Sequence, residues 1–261
     1  MCLKKLAGVL RAISGSPHPK NFTSAIIAAG GSSVRFDGTL TKQMTPICGA
    51  PIVVRTLLAF ENTECIHEII VCAKRNEVGY YRELCETYGI TKVKAVVTGG
   101  NTRQESILNG FRAINNKSKY VAISDGARCL VTPEQITSVC LAAYKYGAAT
   151  AAHKSTDTVK IADSKGFIDH TIDRNTVWLA QTPQVFKTKL YRAAAYTALK
   201  KDYEATDDNM LVEFVKHPIR LVECGTENLK ITTTDDMIIA RTILESRMAD
   251  QANVETEGEE A

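Results

Sequence analysis

Long apolar runs are missing from this 261-residue chain. None approaches the roughly 20 residues that a membrane-spanning helix needs, so no membrane partner is expected. Proline and glycine are sparse, 7 and 16 residues, which excludes collagen-like and low-complexity architectures. An excess of one charge is also lacking: 32 Lys and Arg face 29 Asp and Glu, for a net charge of +3. Such a balance is not the footprint of a nucleic-acid binder, although it leaves room for a few cations gathered round a small anion. None of the eight cysteines has the Cys-x-x-Cys spacing of zinc or redox sites. They read as small buried hydrophobes of a reducing compartment, and the expected location is the cytoplasm.

What is present is an average globular composition, 44% hydrophobic and 23% charged, long enough to bury a substantial core. Positions 1 to 20 carry four bases and no acid, and Arg11 cuts their apolar stretch short. Residues 1–22 therefore read as an N-terminal extension, closer to a frayed amphipathic helix than to an export signal. Residues 250–261 carry five acids and no base and are expected to form a disordered tail. The stretch between them, 23–249, reads as one domain.

Within that domain, short β-branched runs at 24–29, 68–73, 94–99 and 120–125 alternate with helical periodicity at 51–60, 76–88 and 102–114. Strand and helix in alternation predict an α/β, Rossmann-like three-layer fold with a mainly parallel sheet. Ligands of such sheets sit beyond the carboxyl ends of the strands, so loops 30–43, 98–106 and 125–130 should share one edge. Residues 153–178 break the rhythm by alternating polar and apolar positions around Ser-Lys-Gly, which predicts a protruding two-stranded β-arm. A lone hairpin is marginal in water, so this one should pack on a second copy of the chain. A helix near 187–200, an acid-marked helix start at Asp207 and Asp208, a strand near 219–224 and a closing helix at 234–248 complete the reading.

Three loops carry candidate chemistry. AAGGSSVRFDGTLTKQ, residues 28–43, follows the first strand with a glycine turn whose amides can converge on phosphate oxygens, and Arg35 and Lys42 add full charges. An ordinary glycine turn with two solvated bases is the competing reading. TGGNTRQESI, 98–107, brings Gly99 and Gly100 where a flat ring can approach the backbone, while Asn101 on its own reads as a helix cap. SDGARCLVTPE, 124–134, sets Asp125 and Arg128 at a strand tip; Asp125 suits magnesium when phosphates supply the other oxygens, and it suits a turn equally well.

Taken together, AAGGSSVRF with TKQ, then GAPIVVRTL, GGNTRQES, SDGARCLVTPE, DTVK, IDRNTVW, AQTPQVF, TDDNMLVE and ENLKIT resemble, in this order, the 2-C-methyl-D-erythritol 4-phosphate cytidylyltransferases of the non-mevalonate isoprenoid pathway. The resemblance implies an enzyme joining CTP to methylerythritol 4-phosphate. It implies catalytic roles for Arg35, Lys42 and Lys230, and a nucleotide site of Ala28, Ala29, Gly30, Gly31, Gly99, Gly100, Asn101, Ser106 and Asp125. Asp125 would hold Mg2+, Arg128 would lie by the sugar-phosphate path, and Thr158 and Arg174 would grip the acceptor from the partner subunit of an arm-swapped homodimer. The sequence departs from many relatives at Thr41, Ser124 and Gly126, none of which removes a charge. A phosphate monoester is largely ionised at neutral pH, so the reaction needs cations rather than a base, and the five histidines all lie outside these loops. The nearest rival is a ribitol 5-phosphate cytidylyltransferase, whose acceptor segment departs from DTVK and IDRN; a nucleotide sensor without catalysis is the rival from another class.

Overall fold

The protein is described here by a computed structural model that covers residues 21–31 and 41–259. Its strands, in chain order, are β1 (Thr23–Ala28), β2 (Pro46–Ile47), β3 (Ala50–Pro51), β4 (Glu68–Ala73), β5 (Val93–Thr98), β6 (Tyr120–Asp125), β7 (Ala148–Lys154), β8 (Lys160–Ala162), β9 (Ile168–Thr171), β10 (Trp178–Lys187) and β11 (Arg220–Glu223). The helices are α1 (Ile52–Glu61), α2 (Val78–Thr87), α3 (Arg103–Ala113), α4 (Pro133–Tyr146), α5 (Thr188–Lys200), α6 (Asp208–Phe214) and α7 (Thr234–Glu259).

Seven strands form the central sheet in the order β11-β7-β10-β6-β1-β4-β5. All neighbours run parallel except at β10, which is antiparallel to both β6 and β7. The apolar runs form strands because both sheet faces are covered: along β1, Ala25 and Ile27 enter one core while Ile26 enters the other. α1, α2 and α4 line the first core, and α3, α5 and α6 the second. Burying each Ile or Val contributes roughly 1.5–3 kcal/mol, enough to fix the register of the inner strands. The expected three-layer α/β fold is therefore the one observed.

Five elements lay outside the sequence reading, the two-residue strands β2 and β3 together with α4, β7 and β10. α4 opens on a capping box, in which Thr132 Oγ1 accepts from the Gln135 amide at 3.3 Å and Gln135 Oε1 accepts from the Thr132 amide at 3.0 Å. Pro133 occupies its first turn, and Gly147, at φ 91°, ends it in the left-handed region. One expectation is corrected. The closing helix does not stop near 248 but runs to Glu259, through residues expected to be a disordered tail. The segment 245–259 holds Ala, Glu, Gln and Met and no proline, so its helical propensity extends a helix already started and capped. Upstream, α7 packs Ala240 and Leu244 against Ile47, Ile52, Leu130 and Ile231.

The predicted arm is a hairpin rooted in β7 and β10. β8 and β9 pair antiparallel with Lys160 opposite Thr171, and Asp163 Oδ1 accepts from the amides of Lys165 and Phe167 in the turn, each at 2.9 Å. Its apolar side chains stand in solvent: Phe167 is 70% and Ile168 66% exposed.

Candidate active site

Parallel register brings the expected loops to one edge. Ala28 at the end of β1 lies opposite both Cys72 on β4 and Asp125 on β6, and Ala73 lies opposite Thr98 at the end of β5. The backbone continues the alignment beyond β1 and β5, for the Ala29 amide donates to Cys72 O at 2.8 Å and the Gly99 amide to Ala73 O at 2.8 Å. Gly30 and Gly31 follow directly; Arg35 lies outside the described residues. Where the first loop returns, Lys42 begins a short 3-10 turn, and the neighbouring Gln43 side chain is buried. Gln43 Oε1 lies 3.0 Å from the Tyr81 hydroxyl, which is also 3.2 Å from Ala29 O, so the segment bearing Lys42 is tied back to the start of its own loop.

Asp125 is the hub of the edge. Its Oδ2 is 2.9 Å from Lys230 Nζ and 3.9 Å from Arg128 Nε, and its Oδ1 is 3.3 Å from Arg103 Nε. Its amide donates to Thr182 Oγ1 at 3.1 Å, and Thr182 in turn lies 2.9 Å from the hydroxyl of Ser124. Burial alone raises the pKa of this carboxyl, but Arg103, Lys230 and Arg128 reverse the shift and hold it below the usual range. Asp125 is thus a carboxylate at any physiological pH. Burial pushes the Arg128 guanidinium down, with Asp125 opposing. Arg128 Nη1 donates to Asn228 O at 2.6 Å, whereas the buried Nε makes no hydrogen bond among the described residues and faces Asp125 Oδ2 at 3.9 Å. Asn228, fully buried, donates to Thr182 O at 2.9 Å, and this clamp fixes the segment that carries Lys230.

The turn after β5 is closed on itself. The Gly100 amide donates to Ser106 Oγ at 2.9 Å, and that hydroxyl donates to Thr102 O at 2.9 Å. The Asn101 amide donates to Glu105 Oε2 at 2.7 Å. The helix cap read at Asn101 belongs instead to Thr102, whose side chain accepts from the Glu105 amide at 3.1 Å. Because the amides of residues 99 to 101 are all engaged within the fold, the backbone groups of this turn left to meet a ligand are carbonyl oxygens. Gly99 is required here, since a Cβ would come 2.8 Å from Ser106 Oγ.

Thr158 and Arg174 sit on facing limbs of the arm, where Arg174 Nη1 donates to Thr156 O at 3.2 Å. Among the described residues no hydrogen bond or ion pair joins either one to Asp125, Arg128 or Lys230, so a single chain brings together the strand-edge cluster but not the arm. Arg103 and Asp208 are the site residues that the sequence reading left without a role.

The family model for 2-C-methyl-D-erythritol 4-phosphate cytidylyltransferase (IspD) matches residues 23–246. Proteins of that name from Syntrophus aciditrophicus and Caldanaerobacter subterraneus are both 40% identical to the chain, over 84% and 85% of it and 94% and 98% of their own lengths. Among solved structures, 4-diphosphocytidyl-2C-methyl-D-erythritol synthase from Anaerococcus prevotii superposes with a TM-score of 0.77 at 31% identity, covering 87% of this chain and 99% of that one. The Thermus thermophilus enzyme gives 0.69 at 27% identity, covering 85% and 98%. With the match running from the first strand into the last helix, the chain belongs to the 2-C-methyl-D-erythritol 4-phosphate cytidylyltransferase family.

Proposed function

We propose that this protein transfers the cytidylyl group of CTP to 2-C-methyl-D-erythritol 4-phosphate, giving CDP-methylerythritol and pyrophosphate. The observation that carries the reading is the strand-edge cluster of Asp125, Arg128 and Lys230 in a chain of this family. A phosphate oxygen of the acceptor attacks the α-phosphorus of CTP in line. A new P–O bond forms, the bond to the β-phosphate breaks, and its electron pair leaves on pyrophosphate. The acceptor phosphate is largely ionised at neutral pH, its second pKa being about 6, so no side chain has to remove a proton. The obstacle is the repulsion of two polyanions. Lys42, Lys230 and Arg35 meet it at the triphosphate, and the charge of Arg128 serves the sugar-phosphate side.

Magnesium fits this edge as a shared ion. Asp125 offers one carboxylate at the strand tip, and among the described residues no three carboxylate, His or Cys groups converge, so the ion would draw its other ligands from phosphates. When bound, it supplies charge neutralisation at the phosphates.

The nucleotide base lies against Ala28 to Gly31 and the turn at Gly99, Gly100, Asn101 and Ser106. With that turn's amides engaged, its carbonyl oxygens suit the amino group of cytosine and repel the carbonyl of uracil. Thr158 and Arg174 bind the acceptor phosphate of the neighbouring subunit's site in a homodimer, which also covers Phe167 and Ile168. Residues 23–249 act as one catalytic domain. The seven cysteines among the described residues are free, which suits the cytoplasm, and no helix among those residues is long and apolar enough to cross a membrane. Pyrophosphate release is the test. It should require magnesium, CTP and methylerythritol 4-phosphate together; faster release with ribitol 5-phosphate, or none with either acceptor, refutes the assignment.

A further inference from the structure

Arg103 opens α3, points across the strand edge and lies between two carboxylates contributed by distant parts of the chain. Its Nη1 is 2.6 Å from Asp208 Oδ2, and its Nε is 3.3 Å from Asp125 Oδ1. Asp208 is fixed from every side. Its side chain is 1% exposed, its Oδ1 accepts from the Tyr191 hydroxyl at 2.7 Å, and its amide donates to Gln184 Oε1 at 3.0 Å. The result is a continuous chain of contacts, Tyr191 to Asp208 to Arg103 to Asp125 to Lys230, running from the core of one helical layer to the nucleotide edge.

The two oxygens of Asp125 are divided between different tasks. Oδ1 is taken by Arg103 from the protein side, and Oδ2 is turned to Lys230 and Arg128. A terminal carboxylate rotates easily about its last torsion, so pinning one oxygen determines where the other points. The guanidinium meets the two carboxylates through two nitrogens held rigidly in one plane, whereas an ammonium is a single point charge on a flexible stem and does not fix both directions together. Two buried acids joined through one arginine are also a poor solution for stability alone, because apolar side chains of similar volume do as well or better.

We propose that Arg103, anchored by Asp208, is a positioning residue for the cytidylyl transfer, holding Asp125 Oδ1 so that Oδ2 faces Lys230 and the phosphates of the nucleotide. This role rests on the function proposed above.

The test is a double-mutant cycle on the full-length protein with Arg103→Lys, Asp125→Asn and the pair, reading kcat, the KM for CTP and the thermal midpoint. Arg103→Lys keeps the charge but loses the fork. It should lower kcat about 10- to 100-fold, the range typical of groups that orient a ligand-bearing side chain, with little change in KM. In the Asp125→Asn background the same substitution should cost nothing further, because the side chain it orients no longer binds. Full multiplication of the two losses, or a wild-type kcat for Arg103→Lys, overturns the proposal. Should Arg103→Lys fail to fold, Tyr191→Phe removes only the hydroxyl on Asp208; it should lower kcat severalfold in the wild-type background and not in Asp125→Asn, and no effect in either overturns the proposal. A wild-type protein that releases no pyrophosphate defeats the functional reading first. The same cycle is then read on magnesium-dependent CTP binding by calorimetry, where independent losses refute the role of Arg103.

Discussion

Lys230→Met separates catalysis from stability, because the contact of Lys230 with Asp125 is short but wet. Nζ lies 2.9 Å from Oδ2, while the lysine side chain is 43% exposed. Solvent screens such a pair, so its contribution to folding is about 0–1 kcal/mol. For a domain of this size that is a fall in the thermal midpoint of no more than about 4 °C. Asp125 stays ionised without it, since Arg103 at 3.3 Å and Arg128 at 3.9 Å remain. Catalysis should respond on another scale. A preorganised cation aimed at charge developing on phosphate is worth about 3 kcal/mol, which is a hundredfold or more in turnover. The assay is pyrophosphate release at saturating substrates beside a thermal melt of the same preparation. A loss below tenfold removes Lys230 from the reacting phosphates, and a midpoint lower by more than about 10 °C shows that it supports the fold instead.

Other outcomes follow from single contacts. Gly110→Ala should destabilise the protein by about 1–3 kcal/mol in urea, with activity per folded molecule unchanged, because its Cβ would come 2.5 Å from Cys72 Sγ and 2.7 Å from Ile26 Cγ2 in the core. Asp236 accepts from the amides of Thr232 and Thr233, each at 2.7 Å; slight burial raises its pKa, and these bonds with the Thr232 hydroxyl bring it down to about 2 from an ordinary 3.8. A depressed carboxylate stabilises the fold above its unfolded pKa, so the stability gap between wild type and Asp236→Ala should be constant above about pH 5 and close as pH falls from 4 toward 2. A gap at pH 2 as large as that at pH 7 contradicts the assignment. UTP should turn over far more slowly than CTP, and equal rates would show that the base does not meet the turn at Gly99 and Gly100. Mixing inactive Lys42→Ala with inactive Arg174→Ala and letting dimers re-form should restore about a quarter of all sites if the arm works on its partner's site; no recovery, with subunit exchange verified, refutes the shared site.

The sheet was legible where burial on both faces wrote continuous β-branched runs, as in β4 and β6. β7 was hidden because AATAAHK is built from alanine, a helix former that serves as a strand only because β10 and β11 flank it. β10 was hidden by Pro183, a residue that argues against an inner strand; the structure accommodates it where the register with β7 breaks between Ala180 and Gln184. In the site, Asp125 and Lys230 were readable from motif order. Arg103 was not, since its partners lie 22 and 105 positions away and nothing local says which acids an arginine at a helix start will meet. Asn101 misled for the opposite reason: the local cap rule holds, but it is satisfied by the next residue, Thr102.

The arm leaves from β7 and returns into β10, two strands already paired in the sheet through Thr150 with Gln184, Ala149 with Val185 and Ala148 with Phe186. Those pairs set the register at the base of the hairpin, and nothing in the core depends on what lies beyond it. Length and composition between 155 and 177 are therefore free to change while the nucleotide edge stays as it is. The fold separates a sheet edge that holds Asp125, Arg128 and Lys230 from a hairpin that can vary without disturbing it. On the function proposed above, an acceptor-swapped enzyme would be made by grafting one hairpin onto an untouched sheet.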